Sequence, residues 1–238
     1  MSAHEPSHIA AGIPLQTLVA ELRGCCEAVS CLQGGSTYFH EELGIFRRVA
    51  EDRGLFLKEP PSELSHIPDE EGNEHQVWYR PGSKSVLKAT WPDFFGLLVV
   101  HRLGEEHMAS PVSYLERWVL HNELFGDDVR FLGALATDSG LRLLIEQPAI
   151  AGTPATDAEI QRFLTESGWR RFVIEGNVAY FDPERHIAIS DTHRGNIILM
   201  KDGLLAPIDL RVQLLSDALS DIVVKLCALP HPHSSIDR

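Results

Sequence analysis

Apolar residues recur three or four positions apart over residues 14–53, at Leu18, Leu22, Phe39, Leu43, Phe46 and Val49, the spacing of one helical face. Gly34-Gly35 interrupts the pattern, so it predicts two helices joined by a turn. The periodicity stops over residues 59–71, where Pro60, Pro61 and Pro68 stand among acidic residues, a composition that predicts a linker. From Glu74 the texture is that of strands. "EHQVWYRPGSKSVLKAT" has two β-branched and aromatic runs around Pro81-Gly82-Ser83, a hairpin signal. "SPVSYLERWVLHNELFG" returns to a helix, with Ser110 as N-cap, Pro111 at the first helical position and Gly126 just past the end. "VRFLGALATDSGLRLLIEQP" predicts a second hairpin turning at Asp138-Ser139-Gly140, and Thr156-Asp157-Ala158-Glu159 is a capping box opening a helix to about Ser167. The order is strand, strand, helix, strand, strand, helix.

Composition narrows the function classes. The 238 residues suffice for one large domain or two lobes, and 44% of them are apolar, an ordinary share for a chain with a sizeable core. A formal charge of −13 argues against nucleic acid or an anionic membrane surface as partner, because both need clustered Lys and Arg. An anionic ligand would need a local cationic pocket or a metal. No apolar run approaches a membrane span, and the N-terminus lacks a secretion pattern, so a soluble, cytoplasmic protein is expected. Cys25, Cys26, Cys31 and Cys227 lack metal-type spacing and are expected to be reduced and structural. The twelve histidines, His231 and His233 near the tail included, show no zinc pattern.

The chemistry concentrates in "ISDTHRGNIILMKDGLLAPIDL", residues 189–210. Asp191, Asn196 and Asp209 offer three oxygen ligands around two strand-like runs, Ile197 to Met200 and Leu205 to Ile208, joined at Lys201-Asp202-Gly203. Asp and Asn are also ordinary turn residues. Phosphoryl transfer gives the pattern a different meaning: it calls for a cation at the phosphates, hard oxygen ligands for Mg²⁺ and a carboxylate beside the attacking hydroxyl.

Element order and residues together resemble the protein-kinase-like superfamily. Its catalytic loop has an Asp followed five positions later by an Asn, the spacing of Asp191 and Asn196 in "DTHRGN", and a second Asp follows a short hairpin, as Asp209 does. The form Asp-x-His-x-x-Asn is similar to the aminoglycoside phosphotransferase branch. "SVLK" resembles the kinase strand that ends in the phosphate-binding Lys. "GNEHQVWY", "LHNELFGDD" and "EQPAIAG" look most like the compact kinase domains of bacterial and phage polyvalent proteins, over about residues 72–212.

The resemblance implies an α+β, two-lobed kinase-like fold: helical extension 1–58, linker 59–71, antiparallel N-lobe 72–150 and an abbreviated C-lobe 151–238, with ATP and Mg²⁺ as cofactors. Lys88 is implied at the α- and β-phosphates, positioned by Glu116 or Glu123, which share a helix face. Glu116, nearer the helix centre, is the preferred partner. Asp191 is implied as the base, Asn196 and Asp209 as metal ligands, and Gln147 to Ile150, Ala149 included, as the backbone hinge at adenine. Gly72, the only glycine between Gly54 and Gly82, is what remains of the glycine-rich phosphate loop. His193 is expected to fix the loop by hydrogen bonds, and Trp78, Trp91, Trp118 and Trp169 to pack cores. Leu210-Arg211 stands where the family often has Phe-Gly, and Ile189 where it has His or Tyr. The expected activity is phosphoryl transfer to a protein or small-molecule hydroxyl. The rivals are a pseudokinase serving as a nucleotide-binding or interaction module, favoured by the missing glycine-rich loop, and transfer of AMP.

Overall fold

The computed structural model describes residues 13–33, 39–101 and 107–229. The Gly34-Gly35 turn and His231 and His233 lie outside the described residues. The chain divides into two compact units: residues 1–96, 109–119 and 127–149, and residues 97–108, 120–126 and 150–238.

The first unit is built on an antiparallel sheet of β1 (Glu70–Glu71), β2 (His75–Arg80), β3 (Ser85–Thr90), β4 (Arg130–Thr137) and β5 (Gly140–Pro148), in the order β1-β2-β3-β5-β4. Helices α1 (Leu15–Gln33) and α2 (Phe39–Asp52) lie where the periodicity predicts them. Their apolar faces, with Leu18, Leu22, Ile45 and Phe46, share one core with Phe131, Leu143 and Ile145 of the sheet. The same core holds Tyr114, Leu115 and Trp118 of α3 (Pro111–Phe125), which supplies residues 111–119 to this unit and 120–125 to the other. The α3 caps match the sequence: Ser110 Oγ accepts from the Ser113 N–H at 3.1 Å, and Gly126 takes φ +67°. The opposite sheet face buries Trp78, Leu87, Ala89, Leu135 and Leu144.

The segment expected as a linker is folded. Ser62–Ser65 form a 3₁₀ turn, Leu64 packs against Trp78 and its neighbours, and Glu63 Oε1 accepts from Arg80 Nε at 2.6 Å. Prolines and charges describe a segment without periodicity; they do not reveal that its few apolar and charged side chains find partners on the sheet.

The second unit contains two antiparallel sheets. One is β6 (Gly152–Pro154), β10 (Ile197–Met200) and β11 (Leu205–Pro207), in the order β11-β10-β6. Gly152 is required there, because a Cβ would stand 2.3 Å from the Leu199 carbonyl oxygen. The other is β7 (Arg170–Ile174), β8 (Asn177–Asp182), β9 (Ile187–Ser190) and β12 (Arg211–Leu214), in the order β12-β9-β8-β7. One face packs Tyr180, Ile187, Ile189 and Val212 against Ile160 and Leu164 of α4 (Asp157–Glu166). The other packs Phe172, Phe181 and Ala188 against Val223 of α5 (Asp217–Cys227).

The capping box of α4 is formed in both directions between Thr156 and Glu159. Thr156→Ala removes it and is expected to cost about 1 kcal/mol, read as a lower urea midpoint with unchanged slope. None of the four cysteines is in a disulfide, and among the described residues no helix is long and apolar enough to cross a membrane.

Candidate active site

The candidate catalytic-loop residues come together within the second unit. Strand β9 is buried along its whole length and pairs with β12, Ser190 opposite Arg211. Asp191 leaves β9 at the point where Asp209-Leu210 leads into β12, so the register brings the two aspartates to one end of one strand pair. Asn196 closes the arrangement. Its Nδ2 donates to the Asp191 carbonyl at 3.0 Å and to the Asp209 carbonyl at 3.2 Å, while its own carbonyl accepts from the Ile208 N–H at 2.9 Å. With both amide protons used on the backbone, the acceptor Oδ1 is the chemically active end of the side chain. An amide oxygen and a carboxylate suit Mg²⁺, a hard ion bound through few protein ligands plus phosphates and water. Among the described residues no group of three or more His, Cys, Asp or Glu is arranged to hold a metal ion, which leaves this smaller oxygen pair as the candidate.

Asp191 adopts φ +63°, a left-handed conformation uncommon outside glycine. Such backbone is retained where the surroundings over-determine it, and here the Asn196 clamp does so. The Asp191 side chain is 33% exposed, and its Oδ1 lies 3.4 Å from His193 Nε2. His193 Nδ1 accepts from the Gly195 N–H at 3.0 Å, so in the neutral ring the proton is on Nε2, facing the carboxylate. The bond from Gly195 is a loop hydrogen bond of the kind expected of His193, and the same ring lies beside the Asp191 carboxylate.

Asp191, Thr192 and His193 border a cleft of about 460 Å³ contained in the second unit, whose other walls include Leu97, Ile160, Arg171, Tyr180 and Arg211. Gln213 holds one wall: its Oε1 accepts from the N–H groups of Val99 and Val100, both at 2.8 Å, and its Nε2 donates to the Val100 carbonyl. Burial pushes the Tyr180 phenol up, against the pull of Arg171, so the ring is neutral near pH 7.

The remaining sequence candidates belong to the first unit. Lys88, in β3 between Val77 of β2 and Ile145 of β5, is only 5% exposed, unlike a solvated strand lysine. Its Nζ lies 5.2 Å from the centre of the Trp118 ring, which also carries Arg117 at 4.9 Å. Arg117 in turn pairs with Glu74 at 2.5 Å, both side chains buried.

Three expectations are corrected here. Glu116 does not serve Lys88: its carboxylate is held by the Arg23 Nε and Nη2 donors of α1. Burial disfavours the Arg23 charge, but Glu116 and Glu42 outweigh it and hold the guanidinium above its ordinary value. On α3 the face toward Lys88 is that of Trp118, and Glu116, two residues earlier, points elsewhere. Glu123 is exposed. Gly72 is not a phosphate cradle: its N–H donates to His75 at 2.8 Å and its carbonyl accepts from the Trp91 indole at 3.0 Å, closing a tight β1–β2 turn. At the expected hinge, the Ala149 N–H is taken by the Lys84 carbonyl at 2.8 Å, and the Gln147 side chain is buried on Asp127 at 2.5 Å. Any adenine contact from Ala149 must use its carbonyl.

Trp118 and Arg117 carry no motif that marks them; an indole in an amphipathic helix reads as core. A family model described as the serine/threonine/tyrosine kinase found in polyvalent proteins matches residues 40–216. No curated protein and no solved structure matches the chain.

Proposed function

Because the chain belongs to the family of serine/threonine/tyrosine kinases found in polyvalent proteins, we propose that it transfers the γ-phosphoryl group of ATP, with Mg²⁺, to a hydroxyl of a protein. The observation that carries this reading is the Asn196 clamp, which ties the backbones of Asp191 and Asp209 together and leaves one amide oxygen and two carboxylates as the reactive groups. Mere turn residues would not require a shared side-chain anchor. Membership of a serine/threonine/tyrosine kinase family supports a protein acceptor.

Each residue then has a distinct task. Asp191 accepts the hydroxyl proton as the acceptor oxygen bonds to the γ-phosphorus and the bond from that phosphorus to the β-phosphate oxygen breaks, leaving ADP. His193 lies beside that carboxylate, its Nε2 3.4 Å from Asp191 Oδ1. Asn196 and Asp209 would hold Mg²⁺ through Oδ1 and carboxylate oxygen. Magnesium, when bound, offsets the charge on the phosphate oxygens during transfer. Lys88 binds the α- and β-phosphates, with the Trp118 ring packed beside its ammonium group. The tight β1–β2 turn favours a second reading, a nucleotide-binding module without turnover, because Gly72 has no backbone donor to spare. ATP labelled at the γ-phosphate distinguishes the two: label on protein supports the kinase, nucleotide binding without transfer supports the module, and transfer from α-labelled ATP would mean AMP transfer.

The Trp118 role predicts a coupling. In a double-mutant cycle of Lys88→Met and Trp118→Phe, nucleotide affinity should show an interaction of about 0.5–2 kcal/mol, the worth of a desolvated cation over a ring. Additive losses would remove Trp118 from the site.

A further inference from the structure

We infer that Arg171 makes this kinase selective for acceptor peptides bearing an acidic side chain two or three residues from the hydroxyl. The inference rests on the proposed transfer reaction and concerns the cleft beside Asp191. That cleft is of a size that takes a short peptide segment, and Asp191 and Arg171 both line it. Arg171 combines two features: it lines the cleft beside Asp191, and among the described residues no carboxylate is paired with it. The other carboxylates of the cleft are otherwise engaged. Glu175 faces His101 Nε2 at 3.4 Å, and Asp157 sits in the first turn of α4, where the helix dipole favours a negative charge. Arg211 adds a second guanidinium to the wall.

The sheet supplies the distance. Arg171 of β7 pairs with Tyr180 of β8, Tyr180 pairs with Ile189 of β9, and Asp191 is two residues beyond Ile189. With strands about 4.8 Å apart and about 3.3 Å per residue, the two α-carbons are roughly 12 Å apart. An extended peptide covers that span in about three to four residues. The Arg171 side chain and the carboxylate stem both reach inward, which brings the recognised position to two or three residues from the hydroxyl. A guanidinium–carboxylate bond is charge-assisted and directional, so it selects position as well as charge.

The test walks a single Asp through positions −4 to +4 of a peptide with one hydroxyl, against Ala and Lys peptides, with Mg²⁺ and ATP. A parallel series with the hydroxyl residue replaced by Ala is followed by fluorescence anisotropy, so that binding is read without turnover. Wild type should favour the acidic peptide by about tenfold in kcat/KM, mostly through KM, at position 2 or 3 on one side. Arg171→Glu should invert the preference toward Lys, an outcome that lost folding cannot mimic. Equal binding of acidic and neutral peptides, or an acidic preference that survives Arg171→Glu, overturns the inference. Acidic-selective, Arg171-dependent binding without label transfer upholds it and overturns the kinase reading alone.

Discussion

Asp191→Asn should leave the affinity for Mg²⁺-ATP intact and lower phosphoryl transfer by about two to four orders of magnitude, the usual worth of a positioned base. The substitution is unusually clean at this position. Asn tolerates the left-handed conformation that Asp191 adopts at φ +63° about as well as Asp does, so the backbone carbonyl stays in reach of Asn196 Nδ2. The amide oxygen can still face the His193 Nε2–H, and what is lost is the second anionic oxygen able to take a proton. Binding and turnover should therefore separate. The measurement is autophosphorylation from γ-labelled ATP, read by intact mass, with nucleotide affinity titrated on the same sample. Equal labelling by wild type and variant would keep the activity and strip Asp191 of its role; an equal fall in affinity would make it a ligand-binding residue.

The second large effect is expected at Asp209. Its backbone carbonyl is what Asn196 holds, so Asp209→Ala removes the carboxylate without removing the anchor of the loop. The fold should persist while Mg²⁺-dependent nucleotide binding is lost, because one of two protein oxygens for the metal has gone. Thermal stabilisation reads this directly. At a nucleotide concentration of about 100 Kd, mass action stabilises the wild type by about 2.7 kcal/mol, a rise in Tm of roughly 5–10 °C for a protein of this size. The variant should show no magnesium-dependent rise. Equal rises in both proteins would mean that Asp209 does not hold the metal.

The residues behind both expected effects are close together in sequence. Asp191, Asn196 and the hairpin leading to Asp209 are separated by few residues, and the hairpin forms with Gly203 at φ +86°, as its Asp-Gly turn predicts. The caps of α3 and α4 and the two first-unit hairpins are likewise short-range features, set by backbone preferences that a few neighbouring residues express. Strands β7 and β8 were also within reach of sequence: Glu175 at φ +52° and Gly176 at φ +81° make the two-residue turn between them, a Glu-Gly pair with Val173-Ile174 before it and Val178 just beyond Asn177. Strand β9 was not. "IAIS" is covered on both faces, by Ile160 and Leu164 on one side and Val223 on the other, so it lacks the alternation that marks a strand.

Sequence alone thus determined most of the helices and hairpins, because periodicity, capping and turn chemistry act over a few residues, and its motifs carried the resemblance to the kinase family that marked the candidate catalytic loop. Only the tertiary structure decided which long-range partner each side chain takes. Glu116 lies 93 residues from Arg23 and 28 from Lys88, and nothing in the spacing could tell that α1 would claim it while Trp118 turned its ring to the lysine. Such pairings follow from which helix face the core accepts, and that face is chosen by the summed burial of Leu18, Ile45, Tyr114, Leu115 and their neighbours, a property of the assembled unit and of no single segment.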